Sequence, residues 1–171
     1  MNILITGVPG AGKTEVSRVL SERLGYRVVN DKDFSVKNKL GRYEGKEYVV
    51  SISKLNKCIK EKRRAKTIYE GHLWCELSKN NLSMFEYVFV LRAPKKLLSK
   101  RQKQRGYPVQ KIFENIFCQD IKYIEKKLQD KDIVYKTINA GGNLEDTLNK
   151  ILVVIYGKGT GYSTATNRKG N

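Results

Sequence analysis

The sequence predicts an α/β domain built on a five-stranded parallel sheet flanked by helices. Three observations lead there. Short apolar runs alternate with amphipathic stretches, a glycine-rich segment joins the first run to the first helical pattern, and 171 residues suffice for one core without disulfide or metal staples. The first strand is Ile3, Leu4 and Ile5. The helix after it carries Val16, Val19, Leu20 and Leu24 at helical spacing and stops at Gly25. Further strands are predicted at Tyr26 to Val29, Thr67 to Tyr69, Tyr87 to Leu91 and Ile133 to Ile138.

Between the second and third strands, residues 31–66 form an insertion large enough for a flap, with a bend from Gly41 to Tyr48 and a basic helix from Ser53 to Arg64. Pro94 opens the helix after the fourth strand, where its missing N–H costs nothing. That helix breaks near Gly106-Tyr107-Pro108. A long helix resumes beyond it, with Ile112, Ile116, Ile121, Ile124 and Leu128 on or near one face. The last helix runs from Leu144 to about Tyr156. The remaining GKGTGYSTATNRKGN has neither apolar periodicity nor an acid and is expected to be a mobile basic tail.

Composition narrows the function classes. Cys58, Cys75 and Cys118 have no paired spacing, which argues against a disulfide framework or a cysteine metal site and for reduced thiols in the cytoplasm. The first residues run straight into a glycine loop with no basic lead-in or cleavage site, and no later apolar run approaches the ~20 residues of a membrane span. The excess of 34 Lys plus Arg over 17 Asp plus Glu gives a formal charge of +17 and favours polyanionic partners. It is uneven. Lys54, Lys57, Lys60, Lys62, Arg63, Arg64 and Lys66 face only Glu61 in their stretch, and a second basic stretch runs from Arg92 to Lys131. Each run alone reads equally as a solvated helix face. The sum favours nucleic-acid contact, because neutralising phosphates releases counterions.

The chemistry begins at Gly7, Gly12, Lys13 and Thr14, which match G-x-x-x-x-G-K-S/T between a predicted strand and a predicted helix. Glycines let the backbone curl so that successive N–H groups point at phosphate oxygens. Lys13 then reaches the β- and γ-phosphates, Thr14 ligates magnesium, and the helix N-terminus adds its dipole. The third strand leads into Glu70-Gly71-His72. A carboxylate at the end of a neighbouring strand suits the magnesium shell or the attacking group, and Glu70 is the best-placed acid. His72, the sole histidine, either orients water or an acceptor hydroxyl or is an ordinary hydrogen-bonded loop residue. Arg101 and Arg105 share a helical face just before the Gly106 break. They either stabilise migrating phosphoryl charge from a lid or belong to the solvated face with Lys100 and Lys103. Arg92, ending the fourth strand, is a weaker candidate of the same kind.

Together these residues resemble the adenylate kinase isoenzyme 6 group, found in eukaryotic nuclei and in archaea. The resemblance covers Asn2 to about Tyr156 and rests on NILITGVPGAGKT, Glu70-Gly71-His72, VFVLR at 88–92, Arg101, RGY at 105–107, and Asn115-Ile116 followed by Cys118. It implies the P-loop nucleoside monophosphate kinase fold in a single domain, 1–156, with residues 31–66 as the NMP-binding insertion, a short lid at about 101–112, and the tail at 157–171. It also implies that Gly10, Ala11, Gly12, Lys13, Thr14, Glu15 and Arg105 bind ATP, with Thr14 and Glu70 at Mg2+. Lys13, Glu70, His72, Arg101 and Arg105 would be catalytic. Asp33 would lie near AMP; the family's following arginine is replaced by Val36, with Lys37 and Arg42 as substitutes.

Such proteins convert ATP and AMP to two ADP, hydrolyse ATP slowly, bind the small-subunit platform ribosomal protein that is eleventh of the universal set, and promote maturation of small-subunit rRNA. Their location is cytoplasmic, or nuclear in a eukaryote. Three other readings stay open from the residues: an assembly ATPase with water as acceptor, an RNA-binding module switched by nucleotide, and a polynucleotide 5′-hydroxyl kinase. The relatives in eukaryotes are acidic to near neutral, so the +17 here makes direct rRNA contact more pointed.

Overall fold

The structure, a computed structural model, describes residues 1–45 and 47–157; the predicted tail beyond Gly157 lies outside the described residues. Five parallel strands form the sheet: β1 (Asn2–Thr6), β2 (Arg27–Asn30), β5 (Thr67–Glu70), β6 (Tyr87–Arg92) and β7 (Lys136–Asn139). Their spatial order is β2-β5-β1-β6-β7, with every pairing parallel. β1 is completely buried between β5 and β6, as expected of an apolar run covered on both faces. Parallel pairing brings all the strand ends to one rim. There Glu70 of β5 pairs in register with Ile5 of β1 and with Asn30 of β2. Ligands bind outside such a rim where the strand order reverses about the first strand.

Eight helices accompany the sheet among the described residues: α1 (Lys13–Leu24), α2 (Asp31–Lys37), α3 (Ile52–Lys62), α4 (Lys79–Leu82), α5 (Lys95–Gln104), α6 (Val109–Asp120), α7 (Tyr123–Gln129) and α8 (Leu144–Tyr156). The apolar stripe of α1 enters the core through Val16 and Leu20, and Gly25 closes the helix in the left-handed conformation (φ 65°). α3 buries Leu55 and Ile59 and leaves its lysines outside. Phe34 of α2 meets Trp74 edge to face, and Trp74 and Phe85 meet Tyr69 in the same way, so an aromatic cluster supports the rim from below.

Several predicted boundaries differ for physical reasons. The second strand starts one residue late because the Tyr26 N–H closes α1 on the Ser21 carbonyl at 3.0 Å. The fifth is shorter than predicted: the Ile133 N–H donates to Leu128, which holds Ile133 to Tyr135 as the exit from α7. The bend from Gly41 to Tyr48 is an antiparallel hairpin, β3 (Gly41–Glu44) with β4 (Glu47–Val50), pinned by the Tyr48 hydroxyl accepting from the Gly41 N–H. The helix carrying Ile112 to Leu128 is two helices, broken at Lys122, whose φ of 54° is left-handed. From Ile116 to Ile121 the isoleucines step by five, out of helical phase, so one straight helix could not bury both ends of the stripe. The break returns Ile124 and Leu128 to the core.

Arg92 is not a free guanidinium at the rim. It donates to Glu125 Oε1 at 2.6 Å and to the Gln119 carbonyl at 3.0 Å, while Gln119 itself bonds both the N–H and C=O of Ala93. The pair ties β6 to α6 and α7. Replacing Glu125, which is 5% exposed, by alanine leaves a partly buried cation unpaired and is expected to cost about 3 kcal/mol, read as a lowered urea midpoint with unchanged slope.

Candidate active site

The loop between β1 and α1 takes its shape from what crowds it. A side chain on Gly7, where φ is 144°, would strike the Leu91 carbonyl of β6; Gly10 and Gly12 are left-handed at 85° and 98°. Gly12 caps α1 with no side-chain hydrogen bond, so the first N–H groups of the helix remain available to an anion. Lys13 folds across the loop, its Nζ donating to the Gly7 carbonyl at 2.9 Å and the Val8 carbonyl at 3.2 Å. An ammonium has three donors, so one is left for a phosphate oxygen. Burial lowers the Lys13 pKa, the Asp31 and Glu70 carboxylates oppose that, and the Arg105 guanidinium adds to it.

Glu70, 3% exposed, occupies the end of β5. It accepts from Asn30 Nδ2 at 2.7 Å and from the Thr14 hydroxyl at 3.3 and 3.4 Å. A hydroxyl and a carboxylate at that spacing form a hard oxygen set that suits magnesium, whose other ligands are ordinarily water and phosphate. Glu15 is exposed in the first turn of α1.

Gly71 and His72 turn away from β5 over Asp31. A side chain on Gly71, φ 142°, would overlap the Asp31 carboxylate. That carboxylate is 5% exposed, accepts from the Leu73 N–H at 2.7 Å, and lies 3.7 Å from His72 Nδ1. The half-exposed imidazole has a pKa lowered chiefly by burial; Asp31 raises it and Lys13 and Lys111 lower it further. Lys13, Glu70, His72 and Asp31 therefore share one electrostatic site.

From the opposite wall, α5 grips the loop. Arg101 Nη1 donates to the Gly10 carbonyl at 2.9 Å, and fully buried Gln102 donates to the Pro9 carbonyl at 2.9 Å while accepting from Asn115 of α6 at 2.8 Å. Arg105 is exposed at the end of α5, beside the Gly106 turn (φ 72°). The stretch 101–112 thus comprises the end of α5, this turn and the start of α6. Lys111 of α6 pairs with Glu47 of the hairpin, joining the two flanks of the cleft.

Arg42 stands apart from Asp33 and Lys37. Asp33 and Lys37 lie on the outer side of α2 and line a cavity of about 440 Å³ along β2. Arg42 stands on the hairpin, 83% exposed, paired with Glu44 at 2.9 Å. Sequence reasoning overlooked Asn30, Asp31 and Gln102. Asn30 had a signal, since its side chain caps α2 by accepting from the Lys32 and Asp33 N–H groups, and an Asn before an acidic first turn marks a helix start. Gln102 had none, being flanked by lysines and arginines in a stretch that reads as solvated. Among the described residues the three cysteines are free, and burial pushes the Cys75 thiol up to about 12, which leaves it inert. No helix among the described residues is long and apolar enough to cross a membrane.

The chain is similar to known proteins in sequence and in fold. Residues 3–122 match the AAA domain family. A Pyrococcus furiosus protein named "Putative adenylate kinase" is 35% identical over 158 residues, covering 91% of this chain and 84% of that protein. A Methanocaldococcus jannaschii protein of the same name is 33% identical over 165 residues, covering 92% and 88%. Among solved structures, shikimate kinase from Acinetobacter baumannii with shikimate superposes with a TM-score of 0.65 at 22% identity, over 94% of this chain and 95% of that one. Deoxyadenosine kinase from M. mycoides with bound dCTP superposes at 0.60 and 17% identity, over 92% and 100%. The two structures share the fold, a parallel sheet between helices.

The lowered pKa makes His72 neutral at pH 7, and its sign is checkable. Below the ordinary value of 6.5 the unfolded chain takes the proton first, so the stability this residue contributes is complete above that pH and is lost as the pH falls toward the folded pKa. In an NMR titration the sole imidazole is expected to show a midpoint below 6.5, and Asp31→Asn to move it lower still. A midpoint raised by that substitution would contradict the proximity of the two side chains.

Proposed function

The chain belongs to the AAA domain family and is an adenylate- or nucleoside-kinase-like P-loop phosphotransferase, and we propose that it transfers the γ-phosphate of ATP to AMP with Mg2+. The observation that carries this reading is the convergence of Lys13, Glu70 and Arg101 on the phosphate loop, with His72 and Arg105 near enough to share the field of Lys13. Gly10 to Thr14 cradle the triphosphate through N–H groups, and Lys13 offers its remaining donor to it. Glu15 lies beside them in the first turn of α1. Thr14 and Glu70 would hold magnesium, which supplies neutralisation of phosphate charge when bound. Arg101 and Arg105 spread the charge of the migrating group, Arg101 from a position already fixed on Gly10.

His72, neutral and half-exposed above Asp31, suits an acceptor of the proton of a nucleophile. Asp31 would keep the ring oriented. On the acceptor side, Asp33, Lys37 and Arg42 are the groups proposed for AMP, Arg42 reaching it by release from Glu44 and movement of the hairpin. Slow ATP hydrolysis, work in small-subunit maturation with the platform ribosomal protein, and rRNA contact in the cytoplasm belong to the same reading. They are supported by the family resemblance and the +17 charge.

A second reading has its own observation. Val36 stands where the family pattern has an arginine, and Arg42 is tied to Glu44, so the acceptor phosphate has less cationic support than the donor. An assembly ATPase with water as acceptor fits that asymmetry. ADP yield from ATP alone against ATP plus AMP separates the two: AMP-dependent ADP formation is expected, and its absence assigns the acceptor role to water. Lys13→Ala is expected to lower turnover on the order of 10²–10³-fold and His72→Ala about 10²-fold, measured as kcat. Full turnover in the Lys13 variant would defeat both readings.

A further inference from the structure

A cavity of about 440 Å³ lies at the sheet edge, beside the loop site and apart from its phosphate-binding residues. Its floor is Val28 and Val29 of β2, whose far edge pairs with no strand among the described residues, together with Phe34 and Tyr69. Its rim is cationic: Arg27, Lys37, Lys62 and Arg64 stand against one acid, Asp33. No ion pair among the described residues engages any of those four cations, and their side chains are exposed. Lys62 donates to Asn38 at 2.7 Å, which joins the end of α3 to α2 and closes one end of the cavity. None of residues 7–14, and not His72, lines it.

An apolar floor, an open backbone edge and an uncompensated basic rim match the parts of a nucleotide: a flat ring, ring-edge hydrogen-bonding groups and a phosphate. Charge beyond the cavity argues for a polymer over a mononucleotide. α3, which ends in Lys62, also exposes Lys54, Lys57 and Lys60, and Arg63 and Lys66 follow it. A single phosphate needs only the rim. A chain of phosphates would use the whole row, and an edge groove admits a splayed single strand where a duplex would not enter.

We propose that the groove between β2, α2 and the end of α3 binds single-stranded RNA, one base on the apolar floor and its phosphates on Arg27, Lys62 and Arg64. This rests on the rRNA contact put forward above; the groove shares Asp33 and Lys37 with the groups proposed for AMP, so the test turns on Arg27, Lys62 and Arg64, to which phosphoryl transfer assigns no role. α2 is the wall shared with the loop site, since Asn30 at its N-terminus bonds Glu70.

The test is fluorescence anisotropy of a labelled oligouridylate across a salt series. The groove variant is Arg27→Gln/Arg64→Gln; the control, Lys126→Gln/Lys150→Gln, removes equal charge from exposed positions on α7 and α8. The groove variant is expected to weaken binding about tenfold or more and to lower the log–log salt slope by roughly 1.4, from two phosphate contacts at about 0.7 each, with the control within about twofold and its slope unchanged. Equal weakening by both variants would reduce the effect to net charge and overturn the proposal, as would undiminished binding by the groove variant. Melting curves monitor folding of the double variant, and Lys62→Gln, which removes a side chain bonded only to Asn38, repeats the test at a second rim position. Lys13→Ala is expected to bind the oligonucleotide as tightly as the unsubstituted protein, so loss of phosphoryl transfer and loss of RNA binding are separable results.

Discussion

A carboxylate buried at the end of a strand must keep its oxygens engaged or forfeit its charge, and Glu70 meets that demand with partners from two other segments. Asn30 reaches it from the end of β2 and Thr14 from the start of α1. Its own carbonyl accepts from the Trp74 indole at 3.0 Å, which sets the turn that carries His72. One residue thus ties the phosphate loop, α2 and the aromatic cluster together at the rim. The parallel register makes this possible, because Asn30 and Glu70 end their strands level with one another and beside Ile5 of β1.

The phosphate loop is held from two sides in different ways. Beneath it, Gly7 approaches the Leu91 carbonyl too closely for any side chain. Beside it, Gln102 and Arg101 bind the Pro9 and Gly10 carbonyls, and Asn115 holds Gln102 in turn. These bonds take up carbonyl oxygens, which would repel phosphate. The same helix continues to Arg105, whose field reaches Lys13. A site arranged for a polyanion therefore has its cations placed before the ligand arrives, and that preorganisation is what electrostatic catalysis requires.

Charge is divided across the molecule in a way that fits two tasks. At the rim, cations and acids are matched closely, Lys13 with Glu70 and Asp31, and Lys111 with Glu47. Along β2 and α3 they are not, and lysines and arginines outnumber the acids Asp33 and Glu61. Matched charges position reacting groups, whereas unmatched ones raise affinity for any polyanion.

Much of this was legible in the chain. The glycine-rich loop, the alternation of strands and helices and Glu70 with His72 are local patterns, each needing only neighbours in sequence to define it. Arg101 and Arg105 were legible as a pair by their spacing of four, though not what either would bind. The break at Lys122 was hidden by a run of isoleucines that looks continuous until the five-residue step is set against the pitch of a helix. Arg92 read as a reactive cation until the fold delivered Glu125 to it. Asp31, Gln102 and the groove along β2 depended on segments that meet only in three dimensions: Asp31 under Gly71, Gln102 beneath Pro9, Arg27 beside Arg64. Sequence by itself determined the donor end of the site, because phosphate binding is built from consecutive backbone groups. Tertiary structure decided which charges are spent on the protein and which remain for a ligand, because a partner tens of residues away cancels a charge as fully as one nearby.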